Sequence, residues 1–288
     1  MSGISFEFFP PRSNEASDVL QETVDILAAF QPAFQSVTFG ASGSQRNGTL
    51  ETAISLQSRT GIPAASHLTY TGSEVKDVQE FADQLWDAGV KRLVALRGDN
   101  RKDGSVQNPF ADTPEFVSAL KSCHPFEIAV ACYPEVHPKA KSREADIAVL
   151  KAKQDAGATS AITQFFFDNS LFYEFVEEVR EAGITIPLVP GILPIHNFEK
   201  VKTMAKECGT SIPDHVEEAF SEARILGTNE TEIAAELLKA QVHDLACAGF
   251  ESIHIYTLNR APLASIAAGA FLAAHESKLN VEEEKKVA

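Results

Sequence analysis

The sequence predicts an α/β fold, a (β/α)8 barrel of parallel strands, and three observations point to it. Short runs of apolar, β-branched and aromatic residues alternate with longer amphipathic stretches along nearly the whole chain. An Ala-Gly pair recurs at the end of the amphipathic stretches, just before the next apolar run. The length, 288 residues, is large for one ordinary core but normal for eight strand-helix units.

Taken in order, the strand-like runs are ISFEFF (4–9), FQSVTFG (34–40), PAASHLTY (63–70) and RLVALRG (92–98). EIAVACYP (127–134), SAITQFFF (160–167), PLVPGIL (187–193) and SIHIYTL (252–258) complete the set. Between the third and fourth, residues 73–90 place Val75, Val78, Phe81, Ala82 and Leu85 on one helical face. Residues 142–158 read as another helix. The pairs Ala88-Gly89, Ala156-Gly157, Ala182-Gly183 and Ala248-Gly249 are helix stops, since glycine readily takes the left-handed conformation past a C-terminus. Strands separated by helices pair in parallel through right-handed crossovers. A doubly wound open sheet is the alternative, but the first turn, FFPPRSNEA, lacks a G-x-G-x-x-G. The stretch 208–250 exceeds one connection and predicts an extra helix before the eighth strand, starting near Ile212-Pro213. The expected organisation is one catalytic barrel over 1–275 and a charged, frayed tail over 276–288.

Composition narrows the function classes. With 44% hydrophobic and 23% charged residues the chain is globular. Its formal charge of -15 argues against a nucleic-acid partner, which needs a concentrated basic surface. Four cysteines, Cys123, Cys132, Cys208 and Cys247, form no C-x-x-C pair, and no metal site or disulfide framework is expected from them. Without a signal core or an apolar run of about 18 residues, no membrane association is expected and a cytoplasmic location is.

Barrel chemistry sits at the C-terminal strand ends. There the sequence puts Glu7, Thr38, His67, Thr69, Arg97-Gly98-Asp99, Tyr133, His137, Gln164, Tyr256 and Arg260. Each has a structural alternative: Glu7 could meet a structural partner, Arg97 and Asp99 a surface ion pair, the histidines a satisfied hydrogen bond. Desolvation of Glu7 would raise its pKa and make it a proton donor near neutrality. Phe165, Phe166 and Phe167 read as core and barrel wall. Convergence on one rim favours function.

The strings SFEFFPP (5–11), SVTFGA (36–41), HLT (67–69), ALRGD (95–99), YPEVHP (133–138), AITQFFFD (161–168), PGILPI (190–195) and YTLNR (256–260) resemble, in order and spacing, the bacterial methylenetetrahydrofolate reductases. The resemblance covers about residues 4–272. It implies a non-covalent FAD at the rim, reduced by NADH or NADPH. The folate partner, 5,10-methylenetetrahydrofolate, then reoxidises it in a ping-pong cycle that yields 5-methyltetrahydrofolate. Matching positions imply that Ala41, His67, Arg97, Gly98, Asp99, Ala111, Tyr133, His137, Ala140, Asp146 and Lys153 help hold FAD. Glu7 matches the general acid, and Asp99, also catalytic, would stabilise a 5-iminium cation of the folate. Asp99, Gln164 and Arg260 match folate contacts, and Thr38 and Gln164 match contacts of the nicotinamide donor. Met204 stands where an aromatic can stack on the substrate, and Tyr256 is expected at the same pocket. Val149, Ala152, Phe110 and Lys200 depart from the family pattern. A homo-oligomer is implied as well. The rival readings are another FAD-dependent barrel dehydrogenase, a pterin-binding methyltransferase barrel, and a non-catalytic folate-binding protein.

Overall fold

The computed structural model describes residues 3–39, 46–98 and 108–287. Its elements run β1 (Ile4–Phe8), α1 (Asn14–Ala28), β2 (Phe34–Val37), α2 (Arg46–Thr60), β3 (Ala64–Thr69), α3 (Val75–Asp87), β4 (Arg92–Leu96) and α4 (Thr113–Cys123). They continue β5 (Glu127–Cys132), α5 (Arg143–Asp155), β6 (Ser160–Thr163), α6 (Asn169–Glu181), β7 (Leu188–Val189), β8 (Gly191–Ile192) and α7 (Phe198–Cys208). α8 (Asp214–Leu226), α9 (Glu230–Ala248), β9 (Ile253–Tyr256) and α10 (Ala261–Val287) complete the chain.

Local chemistry sets the helix ends. Ser13, Asp112, Ser142, Asp168, Asn197 and Asn229 each accept a hydrogen bond from a first-turn backbone N–H of the helix that follows. The four Ala-Gly pairs terminate α3, α5, α6 and α9, with glycine at positive φ each time.

All strand pairs are parallel, in the order β7-β6-β5-β4-β3-β2-β1-β9-β8. The seventh predicted strand is therefore not continuous. It is split at Pro190 into β7, which pairs with β6, and β8, which pairs with β9. Proline has no N–H to give a ladder, so it interrupts the strand. Its carbonyl still accepts from His254 N at 2.9 Å, and the segment 188–192 joins the two ends of the sheet into a barrel. The sixth strand is also shorter than its apolar run suggests, ending at Thr163 and leaving Gln164–Phe167 in the following loop.

The two-residue period of the strands sorts side chains into two layers. Ile4, Phe6, Phe8, Val37 and Leu68 face outward and are buried beneath the helices. Burying each such side chain contributes about 1.5–3 kcal/mol, so this layer carries most of the apolar stabilisation. Val94, Ala129 and Ile162 form a smaller core inside the barrel, packed with Phe34, Leu96, Val189 and Tyr256. At the barrel floor Arg92 pairs with Glu127 at 3.0 Å and lies over the Phe34 ring. The opposite, C-terminal end of the barrel is open.

Three helices, α7, α8 and α9, stand between β8 and β9. Phe198 of α7 and Phe220 of α8 stack at 4.4 Å and fix α8 against its neighbour. The charged segment from residue 276 is helical to Val287, as a run free of Gly and Pro and rich in Glu and Lys favours. Among the described residues no helix is long and apolar enough to cross a membrane.

Candidate active site

Two adjoining cavities open at the C-terminal end of the barrel. The inner one, about 360 Å³, lies over the strand ends of β1, β2, β3, β6 and β9, and the outer one, about 620 Å³, lies between β3, β4, β5 and α5. They share Phe39, Thr69, Leu96, Ala131 and Tyr133, so one elongated ligand can occupy both.

Glu7 is the one acid lining the inner cavity among the described residues. The strand period that sends Phe6 and Phe8 into the outer core turns Glu7 inward, opposite Ser36 and Tyr256 in register. Its side chain is 12% exposed, and Oε2 lies 3.3 Å from His67 Nε2 and 3.7 Å from His254 Nε2. His67 Nε2 is also 3.3 Å from Ser36 Oγ, and His254 Nδ1 is 2.7 Å from Ser5 Oγ. Burial holds the His67 imidazole below the usual histidine range, against the opposing pull of Glu7, and His254 adds to the lowering. A carboxyl group between two imidazoles, open to a cavity on one side, can hold a proton and release it to a bound ligand.

The rest of the inner wall is set by similar local causes. Tyr256 donates its hydroxyl to Thr163 O at 2.6 Å, across the barrel. Burial, with Glu7 adding to it, pushes that phenol well above its ordinary pKa, so it stays a donor and offers its ring to the cavity. Gly191 is required beneath it, because a Cβ there would meet Thr163 O at 2.2 Å and the Tyr256 ring at 2.7 Å. Gln164 accepts from Phe165 N at 3.0 Å through its side-chain oxygen, leaving the amide NH2 for the cavity. Phe165 is 4% exposed yet borders the inner cavity, so it is core and site wall at once. Thr38 and Met204 line the same space.

In the outer cavity Gly98 follows β4 at φ +86, and a Cβ there would come within 2.8 Å of Thr69 Cβ, so only glycine keeps this edge open. Arg97, Tyr133, His137, Ala140, Asp146 and Lys153 line this cavity. Asp146 accepts from His137 N at 3.0 Å, and the Tyr133 and His137 rings meet edge-on at 4.4 Å. Lys153 Nζ donates to Ala131 O at 2.8 Å, and burial lowers its pKa, opposed by Cys132 and Asp146.

A model of the methylenetetrahydrofolate reductase family matches residues 2–267. The chain belongs to that family. Among its relatives, the 5,10-methylenetetrahydrofolate reductases of Pectobacterium carotovorum and Escherichia coli are each 38% identical over 260 residues, covering 90% of this chain and 87% of theirs. The maize protein named methylenetetrahydrofolate reductase (NADH) 1 is 33% identical over 90% of this chain but only 46% of its own length. In fold, this reductase-family chain is similar to a Clostridium thermocellum protein described as binding two copies of 5-methyl-5,6,7,8-tetrahydrofolic acid. That match has a TM-score of 0.67 at 12% identity, over 97% of this chain and 95% of that one. A Pseudomonas aeruginosa putative dihydrodipicolinate synthetase matches with a TM-score of 0.52 at 10% identity, over 98% and 82%. At such identities these two speak for the barrel alone.

Most of the expected site residues converge here, and a few do not. Ala41 and Asp99 lie outside the described residues. Ala111 does not line the outer cavity; its N–H donates to Glu115 Oε2 at the start of α4, and Thr113 reaches the cavity instead. Arg260 lines neither cavity; it is exposed in the turn after β9 and its charge acts on His196. Phe110 is buried against Tyr70 and Phe116, so its ring serves the core. Among the described residues no cluster of His, Cys, Asp and Glu is placed to hold a metal ion. Sequence reasoning missed Ser5, Ser36, His254, Lys139 and Lys141. The signal for His254 was available: it lies two residues before Tyr256 in one strand, and so on the same face.

Proposed function

We propose that this enzyme reduces 5,10-methylenetetrahydrofolate to 5-methyltetrahydrofolate with NADH or NADPH as electron donor and FAD as bound cofactor. Donor and folate take turns in the inner cavity in a ping-pong cycle, and the same residues serve the reverse direction. The observation that carries this reading is Glu7, held between His67 and His254 at the floor of a cavity continuous with a larger basic one. The names of the 38%-identical relatives supply the substrate, and the maize name favours NADH.

The donor set fits a flavin dinucleotide. The Arg97 and Lys153 side chains can meet phosphate oxygens or a ribose edge, and Tyr133, at the junction of the cavities, can meet a flat ring system. Gly98 keeps Cβ atoms out of the space where such a ligand would pass. His67, His137, Ala140 and Asp146 complete the proposed FAD site, with Ala41 and Asp99 assigned to it by resemblance. When bound, FAD supplies the two-electron redox chemistry, and the protein supplies placement and charge.

Within that frame the residues divide the work. Thr38, Gln164, Met204 and Tyr256 line the inner cavity and position the substrate, with the Gln164 NH2 as hydrogen-bond donor. Glu7 in its protonated form gives a proton to N10 of the folate as the five-membered ring opens, and His67 and His254 keep that carboxyl oriented. Asp99 is proposed to stabilise the resulting 5-iminium cation. Arg260 is proposed as a folate contact beyond the cavity lining. We also assign the catalytic barrel to residues 1–275, the location to the cytoplasm and the assembly to a homo-oligomer.

The test is a visible spectrum of the purified protein, followed by anaerobic NADH and then methylenetetrahydrofolate. A flavin band that bleaches with NADH and returns with the folate supports both half-reactions. A protein that takes up no flavin on reconstitution with FAD would refute the proposal.

A further inference from the structure

The chain carries 40 acidic against 25 basic residues, yet its outer cavity inverts that balance. Among the described residues that line it, Arg97, Lys139, Lys141 and Lys153 face a single carboxylate, Asp146. Many of the other described cations are spent on acids: Arg59 on Asp25, Arg92 on Glu127, Arg143 on Glu178, Lys151 on Asp155, Arg224 on Glu199. No ion pair between described residues engages any of the four in the cavity. Positive charge concentrated in a concave site, in excess over the acids among the described lining residues, favours an anion.

Two of these cations come from the loop between β5 and α5, and that loop is built rather than loose. His137 N donates to Asp146 Oδ2, Lys139 N donates to His137 Nδ1 at 2.9 Å, and Ala140 N donates to His137 O at 2.8 Å. Arg143 donates to Pro134 O across the base of the loop, and Ser142 caps α5. The charges of Lys153, Lys139 and Arg97 all bear on the His137 imidazole and help burial to lower its pKa, which places the three around one centre. The facing side of α5 supplies only Ala145, Asp146, Val149 and Lys153 to the cavity, so its one cation is Lys153, deep and bound to Ala131 O. Val149 is 44% exposed there, an apolar surface beside a ring of charge.

We propose that Lys139 and Lys141, together with Arg97, are the residues that grip the diphosphate bridge of a dinucleotide in the outer cavity, with Val149 beneath its adenine. The inference rests on the flavin reading above and assigns the bridge to FAD. A nicotinamide dinucleotide has the same bridge, and the test separates the two.

The experiment uses deflavinated protein and the double variant Lys139→Gln/Lys141→Gln, with flavin binding followed by fluorescence quenching. Loss of two charge-assisted contacts should weaken FAD at least about tenfold. Riboflavin, which has no phosphate, should bind the variant and the parent alike. The dependence of FAD affinity on salt should also flatten in the variant. Arg at both positions should restore FAD binding, which a merely structural role would not predict. Equal FAD affinity in parent and variant overturns the inference, as does an unchanged FAD affinity with a raised NADH requirement. Equal weakening of riboflavin would mean the loop was disturbed, and it too counts against the assignment. If the parent binds no flavin at all, the reading of the proposed function fails first.

Discussion

Replacing Glu7 with Gln isolates the proton from everything else that residue does. The two side chains have nearly the same shape, and Glu7 is only 12% exposed, so the inner cavity keeps its volume. A carboxamide still reaches the His67 and His254 nitrogens at 3.3 and 3.7 Å. It cannot hold and release a proton near neutrality. Glu7 raises the His67 pKa against burial, so its neutralisation lowers that pKa further and offers no substitute acid. A positioned general acid contributes about 10²- to 10⁴-fold, which is roughly 3–5 kcal/mol of barrier at about 1.4 kcal/mol per decade. The folate half-reaction should slow by that factor. FAD affinity and reduction by NADH should stay within about threefold of the parent, since neither needs an acid. Anaerobic stopped-flow absorbance at the flavin band measures the two half-reactions separately. Parent-like reoxidation by methylenetetrahydrofolate in the Gln variant would refute the acid assignment. Equal loss in both halves would show that Glu7 acts on the cavity's structure.

Two further predictions concern stability. Gly191→Ala drives a Cβ into the Thr163 carbonyl at 2.2 Å and against the Tyr256 ring, and breaks the bond that ties Tyr256 to β6. Overpacking and one lost hydrogen bond sum to roughly 2–4 kcal/mol; a urea midpoint within error of the parent would contradict the closure described at Pro190. His196 has its pKa lowered to about 4, by burial first and Arg260 second, and burial lowers His67 as well. His196 stays neutral in the fold while the unfolded chain takes up protons below about pH 6.5, and the lowered His67 acts in the same direction, so stability should fall as the pH drops from there toward 4. His196→Gln should flatten that slope between pH 6.5 and 5 in urea titrations, and identical slopes would remove His196 as a cause.

Periodicity, not any single motif, made the barrel legible. Apolar runs, Ala-Gly stops and Ser, Asp or Asn caps are local signals, and local rules decide where helices begin and end. What the runs concealed was length. The apolar stretch 160–167 reads as one strand, yet the sheet ends at Thr163; beyond it Gln164 and Phe165 line the site while Phe166 packs on Phe172 in the core. In PLVPGIL the proline was visible, but its effect, one segment serving two different neighbours, depends on closure of the sheet.

The site divides the same way. By itself the sequence determined the order of strands and helices, the inward polar positions such as Glu7 and His67, and the family. Those follow from the two-residue strand period and from strings of neighbouring residues. Only the tertiary structure decided which distant residues share a charge or a proton. His254 stands 247 positions from Glu7, yet parallel pairing of β1 with β9 sets it 3.7 Å away. Lys139 and Lys141 drew no functional reading from the sequence, and only the folded β5–α5 loop brings them to the cavity of Arg97 and Lys153. The physical reason is that electrostatics acts through space, and contact across the barrel has no imprint in local sequence.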